Sequence, residues 1–175
     1  LDYHEMGSGS TYFFQPGVLT RSNPWTPERN IEWTQAFAKH HARALDQIGS
    51  LYYSEEKFDD FYVGKGSTYP DVRGSIEILF EQASSRGMQQ FASNAPNGII
   101  DFKFTIRNQI ATSLSSLHAT VEHRQDLNDY LREFYQQSLE QAGQQETRGF
   151  LVSARTDHAR LDEFVQWLKR HSIEC

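Results

Sequence analysis

The sequence lacks several features that would assign it to a class at once. It has a single cysteine, Cys175, so no disulfide bond can form within the chain. No apolar run approaches the ~20 residues that a membrane-spanning helix needs. Lys and Arg form no cluster and the formal net charge is −6, so we expect neither a membrane span nor a nucleic-acid partner. With 38% hydrophobic and 13% aromatic residues, the composition is that of a globular protein.

Three common catalytic motifs are also missing. His4-Glu5 begins the zinc-helix pattern His-Glu-x-x-His, but no second histidine completes it. Residues 64–66, Gly-Lys-Gly, lack the spacing of a phosphate-binding loop, and Pro70 follows where a helix would have to open. No Gly-x-Ser-x-Gly nucleophile elbow occurs. The six other histidines have no joint zinc-ligand spacing, and we expect each to be a surface or packing residue.

Hydrophobic periodicity and turn residues predict alternating strands and helices, hence an α/β fold. Strands are expected at residues 1–5, 75–80 and 149–154. Helices are expected at residues 26–49 with Thr26 as N-cap, at residues 105–143 with an apolar stripe, and after Asp157. Loops are expected at residues 7–17, 54–74 and 84–98, the last with a turn marked by Pro96 and Asn97.

Two residues stand at positions suited to chemistry. His4 lies at a strand-to-loop junction, where α/β enzymes place their functional groups. Glu81 ends the predicted strand at residues 75–80, and a carboxylate beside an apolar wall has a raised pKa and can transfer a proton. On the residues alone, Glu81 fits this role and an ordinary strand-end pairing with Arg86 equally well.

Three stretches together resemble the later half of the catalytic domain in the M14 family of zinc carboxypeptidases. They are "HEMGSGSTYFFQPG", "FYVGKGSTYP" and "IEILFEQASSRG", followed by a long predicted helix. The resemblance is closest to a bacterial subgroup of multi-domain members and covers residues 1–143. It implies a partial mixed β-sheet flanked by helices and lacking its early strands, with residues 144–175 as the start of a following βα region.

The resemblance also implies a site. His4 matches the family's third zinc ligand, Glu81 its catalytic glutamate, and Tyr62 the mobile tyrosine that closes over substrate, with Tyr69 as a rival for that role. The implied cofactor is Zn²⁺, and the implied substrate is the C-terminus of a peptide. Zinc makes its bound water more acidic and polarises the scissile carbonyl, while a glutamate transfers the proton.

The family's His-x-x-Glu ligand pair and its arginine clamp precede the third zinc ligand, and neither stands before His4 in these residues. Arg107-Asn108 carries the clamp's letters reversed and after Glu81, so the role is not transferred to it. We therefore expect this chain alone to bind zinc weakly or not at all, and to be inactive. We also expect a bare apolar surface where the missing N-terminal half of the domain would pack.

The sequence thus predicts a fragment of a zinc metallocarboxypeptidase that hydrolyses C-terminal peptide bonds or a related amide. The alternative is a non-catalytic module that binds peptides or proteins and has only inherited the carboxypeptidase shape. An upstream His-x-x-Glu pair would favour the enzyme, and its absence would favour the module. The family resemblance further suggests an exported protein.

Overall fold

The computed structural model describes residues 1–92, 95 and 98–175, so the predicted turn at Pro96 and Asn97 lies outside the described residues. The chain divides into two compact units, Leu1–Gln136 and Gln137–Cys175. The boundary near residue 143 that the sequence suggests stays a prediction. The fold is mixed α/β, as predicted at that level.

Five strands, five α-helices and one short 3-10 helix occur in the described residues. In chain order they are β1 (Asp2–Met6), β2 (Tyr12–Phe14), the 3-10 helix (Leu19–Arg21), α1 (Glu28–Gln47), α2 (Thr68–Asp71), β3 (Leu79–Ala83), β4 (Gln89–Phe91), β5 (Ile99–Asp101), α3 (Phe102–Glu122), α4 (Arg124–Gln144) and α5 (His158–Arg170). None of these helices has the length and apolar character needed to cross a membrane.

The main sheet has three strands in the order β1-β3-β2, with β1 parallel and β2 antiparallel to β3. β4 and β5 form a separate antiparallel pair. The strand predicted at residues 75–80 is displaced, so Glu81 lies at the centre of β3 rather than at a strand end. β2 lies inside the predicted loop at residues 7–17, because its three aromatic residues are all buried and give no alternating pattern.

One face of this sheet packs against α1 and α3 and forms the main core. Tyr3 stacks on Phe80 with ring centroids 4.7 Å apart. The core residues come from both layers and are Tyr12, Phe14, Phe37, Leu45, Ile78, Phe80 and Ala119. Because each large apolar side chain contributes about 1.5–3 kcal/mol when fully buried, this face fixes the helices to the strands.

Helix α1 matches its prediction except at its first turn. Pro27 rather than Thr26 is the N-cap residue, and no side chain caps the helix. Glu28 places a negative charge in the first turn, where the helix dipole favours it. Gly49 follows the helix with φ of +65°, a conformation that favours glycine. The inward residues recur every three or four positions and are Asn30, Thr34, Phe37, His41 and Leu45.

Helix α3 turns its polar side inward and its apolar side outward. The buried residues are small or polar and are Thr105, Asn108, Thr112, Ser115, Ser116 and Ala119. The hydroxyl of Thr112 donates to the Asn108 carbonyl at 3.1 Å, so burial leaves it satisfied. The apolar stripe is 43–63% exposed and consists of Ile106, Ile110, Leu114, Leu117 and Val121. A contiguous exposed apolar stripe is typical of a surface that another polypeptide covers.

The single long helix predicted at residues 105–143 is two helices. His123 separates α3 from α4, with φ of −99° and ψ of 15°. These angles lie in the sparsely allowed bridge region and interrupt the helical backbone. Neither Gly nor Pro stands at the junction, so the sequence carries no mark of the break.

The second unit contains α5, and Asp157 caps this helix as predicted, because its carboxylate accepts from the Arg160 backbone N–H at 3.0 Å. The strand predicted at residues 149–154 is wrong, since these residues have no regular structure. Phe150 and Leu151 are 91% and 99% exposed, and a lone strand without a pairing partner is not stable. Residues 144–175 therefore contain a helix but lack the strand of the expected βα pair.

Candidate functional site

His4 and Glu81 face each other across two neighbouring parallel strands. The register pairs His4 of β1 with Glu81 of β3. Neighbouring strands lie about 4.8 Å apart, and residues in register on parallel strands project from the same face of a sheet. That face is the one opposite Tyr3 and Phe80, which pack toward the helices. The two residues singled out by the sequence thus lie together, although 77 positions separate them in the chain.

Asp2 joins this pair, two residues before His4 on the same face of β1. Its Oδ1 atom lies 2.8 Å from Nε2 of His4, so the carboxylate orients the imidazole ring. The Nδ1 atom is then the nitrogen through which the ring can bind a further partner. No motif in the sequence marks Asp2, although the Asp-x-His spacing on a strand places both side chains on one face.

Glu81 is partly buried, and its carboxyl has a shifted pKa. Burial raises its pKa above the usual value; nearby His4 lowers the pKa and Asp2 raises it. The Oε2 atom is buried and has no hydrogen-bond partner among the described residues. A buried oxygen without a partner costs free energy, so it is poised to receive a proton, a water or a ligand.

Phe13 and Leu79 form the apolar wall beside Glu81. Phe13 pairs with Glu81 from the β2 side and is fully buried, and Leu79 is 7% exposed. The Phe13 ring stacks on Phe58 at 4.3 Å and contacts Tyr53 at 5.4 Å. Burial of Glu81 on this face of the sheet is the main physical cause of its raised pKa.

The loop that carries Tyr62 reaches this face. A Cβ atom on Gly66 would lie 2.8 Å from Oδ2 of Asp2, so the loop backbone passes directly over the carboxylate that orients His4. Lys65 fixes the loop through an ion pair with Asp59 at 2.8 Å. Tyr62 itself is 66% exposed, and its ring lies over Gly64.

Tyr69, the rival for the tyrosine role, is held more firmly. It lies in α2, and its backbone N–H donates to the Lys65 carbonyl at 3.3 Å. Its side chain is 37% exposed, against 66% for Tyr62. Tyr62 is therefore the tyrosine with more freedom to move, and the choice between the two stays a prediction.

Arg107 and Asn108 have no place in this group. The Arg107 guanidinium lies over the Phe104 ring, 5.1 Å from its centroid. Asn108 is fully buried and donates to Oε1 of Gln82 at 2.9 Å on the helix side of the sheet. Both side chains have structural partners away from His4 and Glu81.

A second group of ionisable residues lies between helices. His40, Glu122 and His123 bring their ligand atoms within 4.8 Å of one another. Sequence spacing could not find this group, because His40 comes from α1 and the other two from the end of α3.

Comparisons with protein-family models, with curated proteins and with solved structures each returned no match.

Proposed function

We propose that this chain carries the His4 and Glu81 side of the catalytic centre of a zinc-dependent carboxypeptidase, which hydrolyses the C-terminal bond of a peptide or a related amide. The observation that carries this proposal is the in-register pairing of His4 with Glu81 on one face of the sheet. An imidazole beside a proton-transferring carboxylate is the arrangement that metal-assisted hydrolysis requires.

This chain would supply one zinc ligand to the centre, His4. Asp2 holds Nε2 of His4, and metal-ligating histidines commonly bond a carboxylate through their second ring nitrogen. Catalytic zinc uses three protein ligands, and no three-ligand group among the described residues includes His4. Another segment of the full-length protein would therefore supply the remaining ligands. When bound, zinc would lower the pKa of a water and polarise the scissile carbonyl.

Glu81 would move the proton. Its raised pKa brings the carboxyl closer to neutral pH, where a group can both accept and release a proton. The buried Oε2 atom would take a proton from the attacking water and then deliver it to the leaving amine. Net hydrolysis leaves Glu81 in the state in which it started.

Tyr62 would bind the substrate and exclude water. Its hydroxyl would donate a hydrogen bond to the bound peptide once the loop closes toward Asp2. The exposed position of Tyr62 and the contact between Gly66 and Asp2 support this role. Tyr69 remains the alternative donor.

The exposed surface of the first unit supports a missing neighbour. In the described residues β1 pairs with β3 on one side only, so its other edge is open. The apolar stripe of α3, which includes Leu114 and Leu117, is exposed on the helix layer of the same unit. An N-terminal half-domain that adds strands to β1 would cover both.

The test is a hydrolysis assay on the full-length protein, with peptides that differ only in a free or an amidated C-terminus. The proposal expects release of the C-terminal residue from the free peptide alone, loss of release with a zinc chelator, and recovery when Zn²⁺ is restored. Binding of the peptides without any chelator-sensitive release would instead favour the non-catalytic binding module.

A further inference from the structure

The end of helix α3 and the middle of α1 place three metal-ligating side chains together. Nε2 of His40 lies 4.0 Å from Oε2 of Glu122. The rings of His40 and His123 are 5.8 Å apart and nearly perpendicular, at 89°. All three ligand atoms lie within 4.8 Å of one another. This His/Glu/His cluster lies in the helix layer, whereas His4 and Glu81 lie on the opposite face of the sheet.

Neighbouring contacts hold the two histidines in place. The His123 ring packs edge-on against Trp33 at 5.3 Å, and its backbone N–H donates to the Ala119 carbonyl at 2.9 Å. Trp33 and His40 lie seven residues apart on α1, so both point to the same side of that helix. The next residue, His41, fixes α1 against α3 through a 2.7 Å hydrogen bond to Ser115. The positions of the imidazoles thus follow from packing and do not depend on a metal.

The donor chemistry suits a divalent transition metal. Two imidazoles and one carboxylate form a ligand set that Zn²⁺ and its neighbours bind, whereas Mg²⁺ and Ca²⁺ prefer oxygen ligands. Around a tetrahedral Zn²⁺, ligand atoms lie about 3.3 Å apart, as bonds of ~2.0–2.1 Å require. The Glu122 side chain is 64% exposed, so it can rotate to close the remaining distance.

The local field is favourable for a cation. Glu122 and His123 lie at the C-terminal end of α3, where the helix dipole places partial negative charge, and His40 reaches this end from α1. Glu122 adds a full negative charge. The neighbouring cation, Arg124, donates Nη1 to the Val121 carbonyl at 3.0 Å.

We propose that His40, Glu122 and His123 form a binding site for one Zn²⁺ ion or a similar transition metal, with its fourth position open to water. The bound metal would join α1 to the junction of α3 and α4. Because a ligand that binds only the folded state stabilises it, zinc would raise the unfolding temperature of the protein.

The experiment is a Co²⁺ and Zn²⁺ titration of the protein carrying His4→Ala, so that the proposed catalytic ligand cannot contribute. We expect one equivalent of Co²⁺ with the absorption bands of a tetrahedral site, displaced by Zn²⁺. In this background His40→Ala and Glu122→Gln should each weaken binding about tenfold or more. His118→Ala, an exposed histidine on the same helix, is the matched control and should change nothing.

Two results would overturn the site. One is unchanged affinity and spectrum in the His40→Ala protein. The other is an equal loss of binding in the His118→Ala control, which would point to non-specific coordination by surface histidines. A thermal scan with and without Zn²⁺ shows separately whether each variant is folded, so failure to fold is not mistaken for loss of a ligand.

Discussion

His4 lies directly opposite Glu81, in register on the parallel strands β1 and β3. The imidazole is oriented by Asp2, and the carboxyl is partly buried beside Phe13. The sheet thus brings an imidazole ring and a carboxyl with a raised pKa to one face.

Asp2→Ala should weaken zinc binding without removing a ligand. Without the carboxylate, Nε2 of His4 loses its 2.8 Å partner and the ring is free to rotate. Loss of such a supporting partner typically costs 10–100-fold in metal affinity, and we expect about that loss in the full-length protein. Competition with a chromogenic chelator measures it. Asp162→Ala, which removes an exposed carboxylate on α5, should leave the affinity unchanged, and an equal loss in both variants would contradict the role of Asp2.

The sequence predicts the elements whose periodicity and termini are regular. The strand predicted at residues 1–5 matches β1 within one residue, and the helix predicted at residues 26–49 matches α1 within two residues at each end. The prediction fails for β2, whose three buried aromatic residues show no alternation. It also fails for residues 149–154, whose apolar run pairs with no strand in the part of the chain that the structure describes. A pattern of residue types cannot show whether a second strand lies beside it.

Only part of the candidate site could be predicted from the sequence. No spacing rule links His4 to Glu81, and their association came from the family resemblance. Asp2 follows from strand geometry once β1 is known. The cluster of His40, Glu122 and His123 depends on the packing of two helices and on the break after Glu122, which no Gly or Pro marks.

Folding stability should fall in acid because of His41. This residue is fully buried, and burial lowers its pKa from the usual 6.5 to about 3, with neighbouring His40 as a smaller cause. Well above pH 6.5 the ring is neutral in both states and folding carries no protonation cost. As the pH falls from 6.5 toward 3, the unfolded chain binds a proton that the folded chain refuses, so the free energy of unfolding decreases by up to ~1.4 kcal/mol per pH unit.

Urea unfolding at a series of pH values between 7.5 and 4, with a chelator present, measures this slope. His41→Gln should make the slope shallower than in the unchanged protein. His118→Gln removes one exposed histidine instead and should keep the original slope. Equal slopes for His41→Gln and the unchanged protein would contradict the assignment.

Substitution in the exposed apolar stripe of α3 should have different effects on the stability of the 175-residue chain and of a longer protein that contains the proposed half-domain. Leu117 is 60% exposed, so Leu117→Gln should change the stability of the 175-residue chain by less than ~0.5 kcal/mol and reduce its binding of an apolar dye. In a longer protein whose proposed half-domain covers the stripe, the same change would bury an amide in an interface, and we expect a loss of about 1–3 kcal/mol.

Denaturant unfolding of both forms gives the comparison. His118→Gln exchanges one exposed polar side chain of α3 for another and serves as the control. Equal small effects of Leu117→Gln in both forms would show that nothing covers the stripe, and would count against a missing half-domain.

The most direct measurement is the turnover of the full-length protein with Glu81→Gln, together with its zinc content. The account predicts that kcat falls by about 10²–10⁴-fold while zinc stays bound, because Gln keeps the shape of the side chain and cannot transfer the proton. The control is Glu5→Gln. Glu5 is the neighbour of His4, and its carboxylate accepts a hydrogen bond from the Ser84 hydroxyl at 2.8 Å. This variant should keep both its kcat and its zinc. A Glu81→Gln protein that hydrolyses peptides within a few-fold of the original rate would contradict the account.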